Sequence, residues 1–274
     1  MSQPRVHAAP VADRVFHAAC ALSVALPLVF GAWFVWDTAS HAWSGFSNQT
    51  WPTTLLGALA QSVRVIGLAL ALALPAGIGA AIHLEHLGSQ GFFSTLALRA
   101  ITLLAAIPSV LYGLFGLTAL MGVLGIRSLV VTASITLALF LFPVIVERTR
   151  SALQTVPPLV HEAALALGAD PWRALVHVVL PLAVPKLVAE LLLLVARALG
   201  TAAPLLIVGF SSASAKGTVV RPLAVHIFEA VADPDPIRQT TTAASIMVLL
   251  MLVALLHLAA TRIGREGSSG RGSP

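Results

Sequence analysis

Six long apolar runs constrain this chain more than any other feature. They fall at about 18–36, 56–82, 98–122, 129–146, 187–209 and 243–261, and a helix of roughly 20 such residues crosses the ~30 Å hydrocarbon core of a bilayer. Hydrophobic residues make up 58% of the 274 and charged residues 10%, where a soluble domain carries about a quarter charged. The sequence is that of an integral membrane protein. In hydrocarbon every backbone N–H and C=O must be satisfied within the protein, which leaves helices and closed barrels. The ten-residue alternation of a barrel strand is absent from these runs. The fold class is therefore all-α: a six-helix transmembrane domain over 18–262, preceded by a segment 1–17 and followed by a tail 263–274.

Orientation follows from the 16 Lys and Arg residues. With the N-terminus in the cytoplasm, Arg5, Arg14, Arg99, Arg148, Arg150, Arg173, Lys186, Arg262, Arg265 and Arg271 lie inside. Arg127, Lys216, Arg221 and Arg238 lie outside, and Arg64 and Arg197 fall within spans. The positive-inside bias thus puts both termini in the cytoplasm, 147–186 inside and 210–242 outside. The same arrangement gathers Trp33, Trp36, Trp43 and Trp51 near the outer interface, where indole rings collect. The first run, although preceded by Arg5 and Arg14 and followed by Ser40-His41-Ala42, is longer than a signal-peptide core and is read as helix one.

Cys20 is the only cysteine, so no intrachain disulfide and no thiolate metal site can form. The net charge of +5 sits on the cytoplasmic loops and on the Gly/Ser/Arg tail from Gly264 to Pro274, which is expected to be disordered and to lie on anionic lipid. The partner of that charge is the lipid bilayer, not nucleic acid.

The segment 147–186 is polar and charge-bearing between apolar neighbours. Pro157-Pro158 suits a helix start, Glu162 falls near that helix's positive end, and Gly168 followed by Ala169-Asp170-Pro171 reads as a stop and a new start. Two short helices with a Gly hinge result. Ala163, Ala164 and Leu167 give the first a surface open to close approach, and Trp172, Leu175, Val176 and Val179 give the second an apolar stripe. Such a surface suits docking.

These residues resemble a known pattern. Glu162-Ala163-Ala164, three residues, Gly168, nine residues, then Val178-Val179-Leu180-Pro181 is similar to the EAA loop of ABC importer permeases, with Val178 where the family has Ile. The resemblance implies that Glu162, Ala163, Ala164, Gly168 and Pro181 belong to a coupling helix seated on a separate ATPase subunit. The chain has no Gly-x4-Gly-Lys-Ser/Thr segment to cradle ATP. It is read as a transport permease and not an enzyme, binding no cofactor, with ATP and Mg held by the partner ATPase.

Ile107 to Leu117, Pro75 to Ile82, Ala196 to Leu206 and Pro222 to Phe228 resemble PstA-type permeases of phosphate importers. That resemblance implies import of inorganic phosphate across the bacterial cytoplasmic membrane by alternating access. It further implies a PstC-like sister permease, a homodimeric PstB-like ATPase and a periplasmic PstS-like phosphate-binding protein. The chain departs from the pattern at Gly200-Thr201-Ala202-Ala203-Pro204, where the family usually has Glu in place of Thr201, and at His226. Another oxyanion or phosphorus compound is the alternative substrate.

Arg197 is the leading candidate for the substrate pathway, together with Ser109 and Thr201. Its guanidinium suits bidentate contact with an oxyanion. Within a span an unpaired charge costs at least about 2.5–3.5 kcal/mol, so Arg197 needs an anion, or an acid such as Glu190 or one on a sister chain. Arg64 reads as a side chain reaching toward the outer headgroups. Pro75, Pro108 and Pro204 each predict a bend, and Gly77, Gly113 and Gly116 predict close contact suited to a permease dimer. His83, Glu85 and His86 lack a fourth ligand and read as a solvated loop. Asp233-Pro234-Asp235-Pro236 reads as a turn.

Two rival classes remain. A secondary transporter working without ATP would use intramembrane ionisable residues as ion sites, and the EAA resemblance argues against it. An intramembrane enzyme would need a catalytic pair, and His257 and Ser134, deep in their spans, have no acid partner in the sequence pattern.

Overall fold

The computed structural model describes residues 10–46, 51–87, 91–210, 221–231 and 233–269. Arg5, Lys216 and Arg271 lie outside them. Among the described residues the structure is helical, with no strand: α1 (Pro10–Phe46), α2 (Trp51–Ile82, extended by a π turn His83–Leu87), α3 (Phe92–Ala106), α4 (Ser109–Phe115, extended by a π segment Gly116–Val123), α5 (Leu129–Leu153), α6 (Pro158–Ala166), α7 (Pro171–Ala174, followed by a π turn Leu175–Val179), α8 (Leu180–Leu199), α9 (Ala203–Phe210), α10 (Leu223–Val231) and α11 (Pro236–Ser269).

Five continuous helical stretches are long and apolar enough to span: Arg14–Trp43, Thr53–Leu87, Leu129–Leu153, Pro171–Leu199 and Gln239–Arg265. The third expected span is not one helix. α3 and α4 meet at 97°, because the residue before a proline is driven out of the helical region; Ile107 sits at φ −66°, ψ 129° and Pro108 at φ −55°, ψ 134°. The fifth is also interrupted: α8 stops at Leu199 and α9 begins at Ala203, placing Pro204 in a first turn, where its missing N–H leaves no bond unmade. Pro75 and Pro143, by contrast, lie inside unbroken helices. α11 continues through 264–269, part of the stretch assigned to a tail, and residues 270–274 lie outside the described set.

α5 is the central helix. Leu137, Leu141 and Ile145 are fully buried and pack with Val65, Ala69 and Ala73 of α2, Leu194 and Ala198 of α8, and Leu205 and Val208 of α9. Small residues let these backbones approach closely, which is how helices associate where lipid offers no hydrophobic drive. Gly113 and Gly116 follow that logic within the chain, not across a dimer: a Cβ on Gly113 would meet the Pro204 carbonyl oxygen at 2.6 Å, and one on Gly116 would collide with Thr136. Gly77 is likewise pressed against Ile145. α1 packs on α11 through Ala42, Ala243 and Ala244, and its apolar exterior otherwise faces outward. α10 packs on the first half of α2, where the Leu223 N–H donates to the buried Ser62 Oγ at 2.7 Å and the Arg221 N–H, just before α10, to Gln61 Oε1 at 2.5 Å.

Candidate functional site

The two breaks face each other, and a cavity of about 580 Å³ lies between them, lined by Pro108, Ser109, Phe140, Arg197, Thr201 and Phe228 among others. The three residues singled out for a substrate pathway, Arg197, Ser109 and Thr201, thus come together. Arg197 lies in the last turn of α8, not at mid-helix, so the negative end of the helix dipole partly offsets its charge. Its guanidinium carbon sits 5.6 Å from the Phe140 ring centroid, a cation–π contact. Phe140 is held edge-on by Tyr112 at 5.6 Å, and the Tyr112 hydroxyl donates to the Leu104 carbonyl at 2.8 Å, tying α4 to the last turn of α3.

Glu190 is not the partner of Arg197. Its carboxylate is buried and accepts from Arg148 Nη1 at 2.8 Å and Lys186 Nζ at 2.7 Å, leaving Arg197 without an ion pair among the described residues. Thr201 does not replace the family's acid either; its hydroxyl donates to the Arg197 carbonyl at 2.8 Å, closing the end of α8. Sequence reasoning missed Phe140 and Phe228 as lining residues, because an aromatic in an apolar run carries no distinguishing signal.

At the other end of α5, the 157–181 segment folds as expected locally. Pro158 opens α6, and Gly168, at φ +87°, ends it. The Ala169 N–H donates to the Ala164 carbonyl at 3.1 Å and the Gly168 N–H to that of Leu165 at 2.9 Å, the paired bonds of a Schellman stop. Asp170 then caps α7 by accepting from the Trp172 N–H at 3.1 Å. Glu162, Ala163 and Gly168 are exposed, with Ala164 half-buried.

The apolar stripe divides. Leu175 and Val179 are buried with Leu153, Val156 and Ala183, because they seat the segment on α5 and α8. The outward apolar groups include Leu159, Leu167, which is 90% exposed, and Trp172. Pro181 begins α8.

His83, Glu85 and His86 are more than a solvated loop. Glu85 accepts from Arg150 Nε and Gln154 Nε2, each at 2.9 Å, fastening the end of α2 to α5. No group of three metal-ligating side chains occurs among the described residues. Asp233 forms the expected turn, accepting from the Asp235 N–H at 3.0 Å. Ser134 and His257 are both engaged with carbonyls of their own helices, at 2.7 and 3.0 Å.

Residues 73–265 match the family described as the binding-protein-dependent transport system inner membrane component. The chain belongs to this family. As a member it is a multi-pass inner-membrane component of an importer, and the matched region takes in α3 to α10, with the Arg197 cavity and the 157–181 segment. Among its relatives, the phosphate transport system permease protein PstA 1 of Mycobacterium tuberculosis (strain CDC 1551 / Oshkosh) is 28% identical over 259 residues, covering 87% of this chain and 83% of the relative. PstA of Mycobacterium leprae (strain TN) is 32% identical over 191 residues, covering 69% and 62%. A crystal structure of a bacterial alginate ABC transporter, in complex with an alginate pentasaccharide-bound periplasmic protein, shares the fold at a TM-score of 0.61 and 17% identity, covering 95% of this chain and 99% of that one.

Proposed function

We propose that this family member carries inorganic phosphate inward, as the permease subunit of an ATP-driven importer. The observation that carries the reading is the Arg197 cavity. A guanidinium with no acid partner among the described residues, beside the hydroxyls of Ser109 and Thr201, suits a small oxyanion through charge-assisted bonds. Similarity to PstA 1 over 87% of the chain supports phosphate as that anion.

In this account α6 is the coupling helix. Leu159, Leu167 and Trp172 dock on a homodimeric ATPase that holds ATP and Mg, and Glu162, Ala163, Ala164, Gly168 and Pro181 set the docking geometry. Nucleotide-driven closure moves α6, and the Leu175 and Val179 contacts carry the motion to α5 and α8. Those helices hold Phe140 and Arg197, so the anion site opens alternately to either side. A sister permease and a periplasmic phosphate-binding protein complete the complex, with both termini and the 147–186 segment in the cytoplasm.

Thr201 favours a second reading of the substrate. With no carboxylate at that position to pair with Arg197, the site also suits other oxyanions or phosphorus compounds. The reconstituted complex tests this: ATP hydrolysis stimulated by phosphate-loaded binding protein, and by no sulfate- or phosphonate-loaded counterpart, supports phosphate. Stimulation by another oxyanion alone transfers the reading to that anion.

A further inference from the structure

The far end of α2 meets the start of α6 at a pair of imidazoles that nothing above employs. The His86 and His161 rings are 5.2 Å apart at 56°. His86 Nε2 and His161 Nδ1 are both buried and without a hydrogen-bond partner. Beside them lies a cavity of about 320 Å³ lined by Glu85, Gln154, Pro158 and Glu162 among others. His86 sits on a π turn, a local geometry frequent at functional sites.

We propose that His86 and His161 are positioning residues, a joint that seats the coupling helix on α2 only while His86 is neutral, so that the coupling of ATP hydrolysis to transport is lost on acidification. This rests on the coupling role of α6 argued above.

The physical case is one of acceptors and charges. A neutral imidazole leaves one ring nitrogen bare, so a buried nitrogen without a donor is tolerable. An imidazolium carries N–H on both nitrogens, and a buried N–H without an acceptor costs more than a bare nitrogen in the same place. The groups around the pair relieve it only in part. On the π turn, the Glu85 carboxylate favours a charged His86, but both its oxygens are taken by Arg150 and Gln154 of α5. His83 is exposed. Arg150 is itself a cation. Glu162 of α6 is exposed and solvated.

Of the groups at α7, which packs on the π turn, Arg173 is exposed and Asp170 is spent on its cap. His177 turns back to the Arg173 carbonyl. A second proton on the pair would add repulsion between like charges. Burial, then the neighbouring His161, disfavour a charged His86, with Glu85 opposing them, so the seated joint binds fewer protons there than the released one, and by linkage its stability is present above the ordinary histidine value near pH ~6.5 and is lost as pH falls below it.

The test uses the complete complex in lipid, with spin labels at Leu87→Cys and Ala166→Cys, both exposed, in a chain whose exposed Cys20 is replaced by Ser. Between about pH 7.5 and about pH 5.5, substrate moved per ATP is expected to fall at least about fivefold in the otherwise native complex. It should stay within about twofold in His86→Gln, which holds no imidazole at that position. The label distance should change over the same interval with both histidines present and not in His86→Gln. Parallel loss of coupling in His86→Gln overturns the proposal, as does a label distance indifferent to pH; should that variant fail to assemble, the distance in the histidine-bearing chain decides alone. Leu167→Glu separates this from its premise. ATP coupling unaffected by that change at pH 7.5 would sink the coupling role of α6 while the label distance still reports on the joint.

Discussion

Glu190 Oε2 lies 2.8 Å from Arg148 Nη1, and through this contact a buried carboxylate on α8 holds a half-exposed guanidinium on α5. Its other oxygen holds Lys186 at 2.7 Å. One acid thus answers two cations near the end of the bundle that carries the 157–181 segment, while Arg197, seven residues along α8, is left to the cavity.

Glu190→Gln should destabilise the chain by about 1–3 kcal/mol, because removing one member of a buried ion pair strands its partners and their half-exposure moderates the penalty. Thermal unfolding in detergent reads this. Arg148→Gln added to Glu190→Gln should recover part of the loss, since the double variant no longer opposes two cations without an acid.

Arg197→Lys should keep a charge in the cavity yet lose the planar contact with Phe140 and any bidentate grip on an oxyanion. The apparent KM for anion uptake is expected to rise about tenfold or more, with assembly unchanged on co-purification. A KM equal to that of the native chain would remove Arg197 from the pathway.

Gly113→Ala should cost about 1–3 kcal/mol, because the added methyl meets backbone at Pro204 and the break region has no flexible atom to yield. Gly168→Ala acts differently. Its Cβ meets open space, but φ +87° is strained for any residue with a Cβ, at about 1–2 kcal/mol. Unfolding midpoints compared with those of Gly79→Ala, where φ is ordinary and space is open, separate crowding from strain.

Much of this was legible from residue types. Six apolar runs gave the helical membrane fold, and Pro157-Pro158, Gly168 and Asp170 marked where α6 and α7 begin and end, since capping and positive φ are local properties. The breaks were less so. Pro75, Pro143 and Pro108 look alike in sequence, yet only Pro108 breaks its span, because Gly113 lets α4 fold back against α9 at Pro204. The polar residues Arg197, Ser109 and Thr201 stood out against their runs, whereas Phe140 and Phe228 did not. The inward turn of Leu175 and Val179 also depends on which neighbours α5 and α8 present, a tertiary fact.

Leu167→Glu should leave thermal stability within about 0.5 kcal/mol, as a surface change away from any packed contact does, while abolishing co-purification with the ATPase subunit. Leu175→Ala makes the contrast, losing about 2–4 kcal/mol as a buried truncation. A Leu167→Glu chain that retains the ATPase would place the docking surface elsewhere.

The most direct measurement is ATP-dependent uptake of radiolabelled phosphate into vesicles carrying this chain with its partner subunits, native and Arg197→Ala side by side. The account predicts phosphate-selective uptake by the native complex and its loss in an assembled, ATP-hydrolysing Arg197→Ala complex. Undiminished uptake by Arg197→Ala would contradict it.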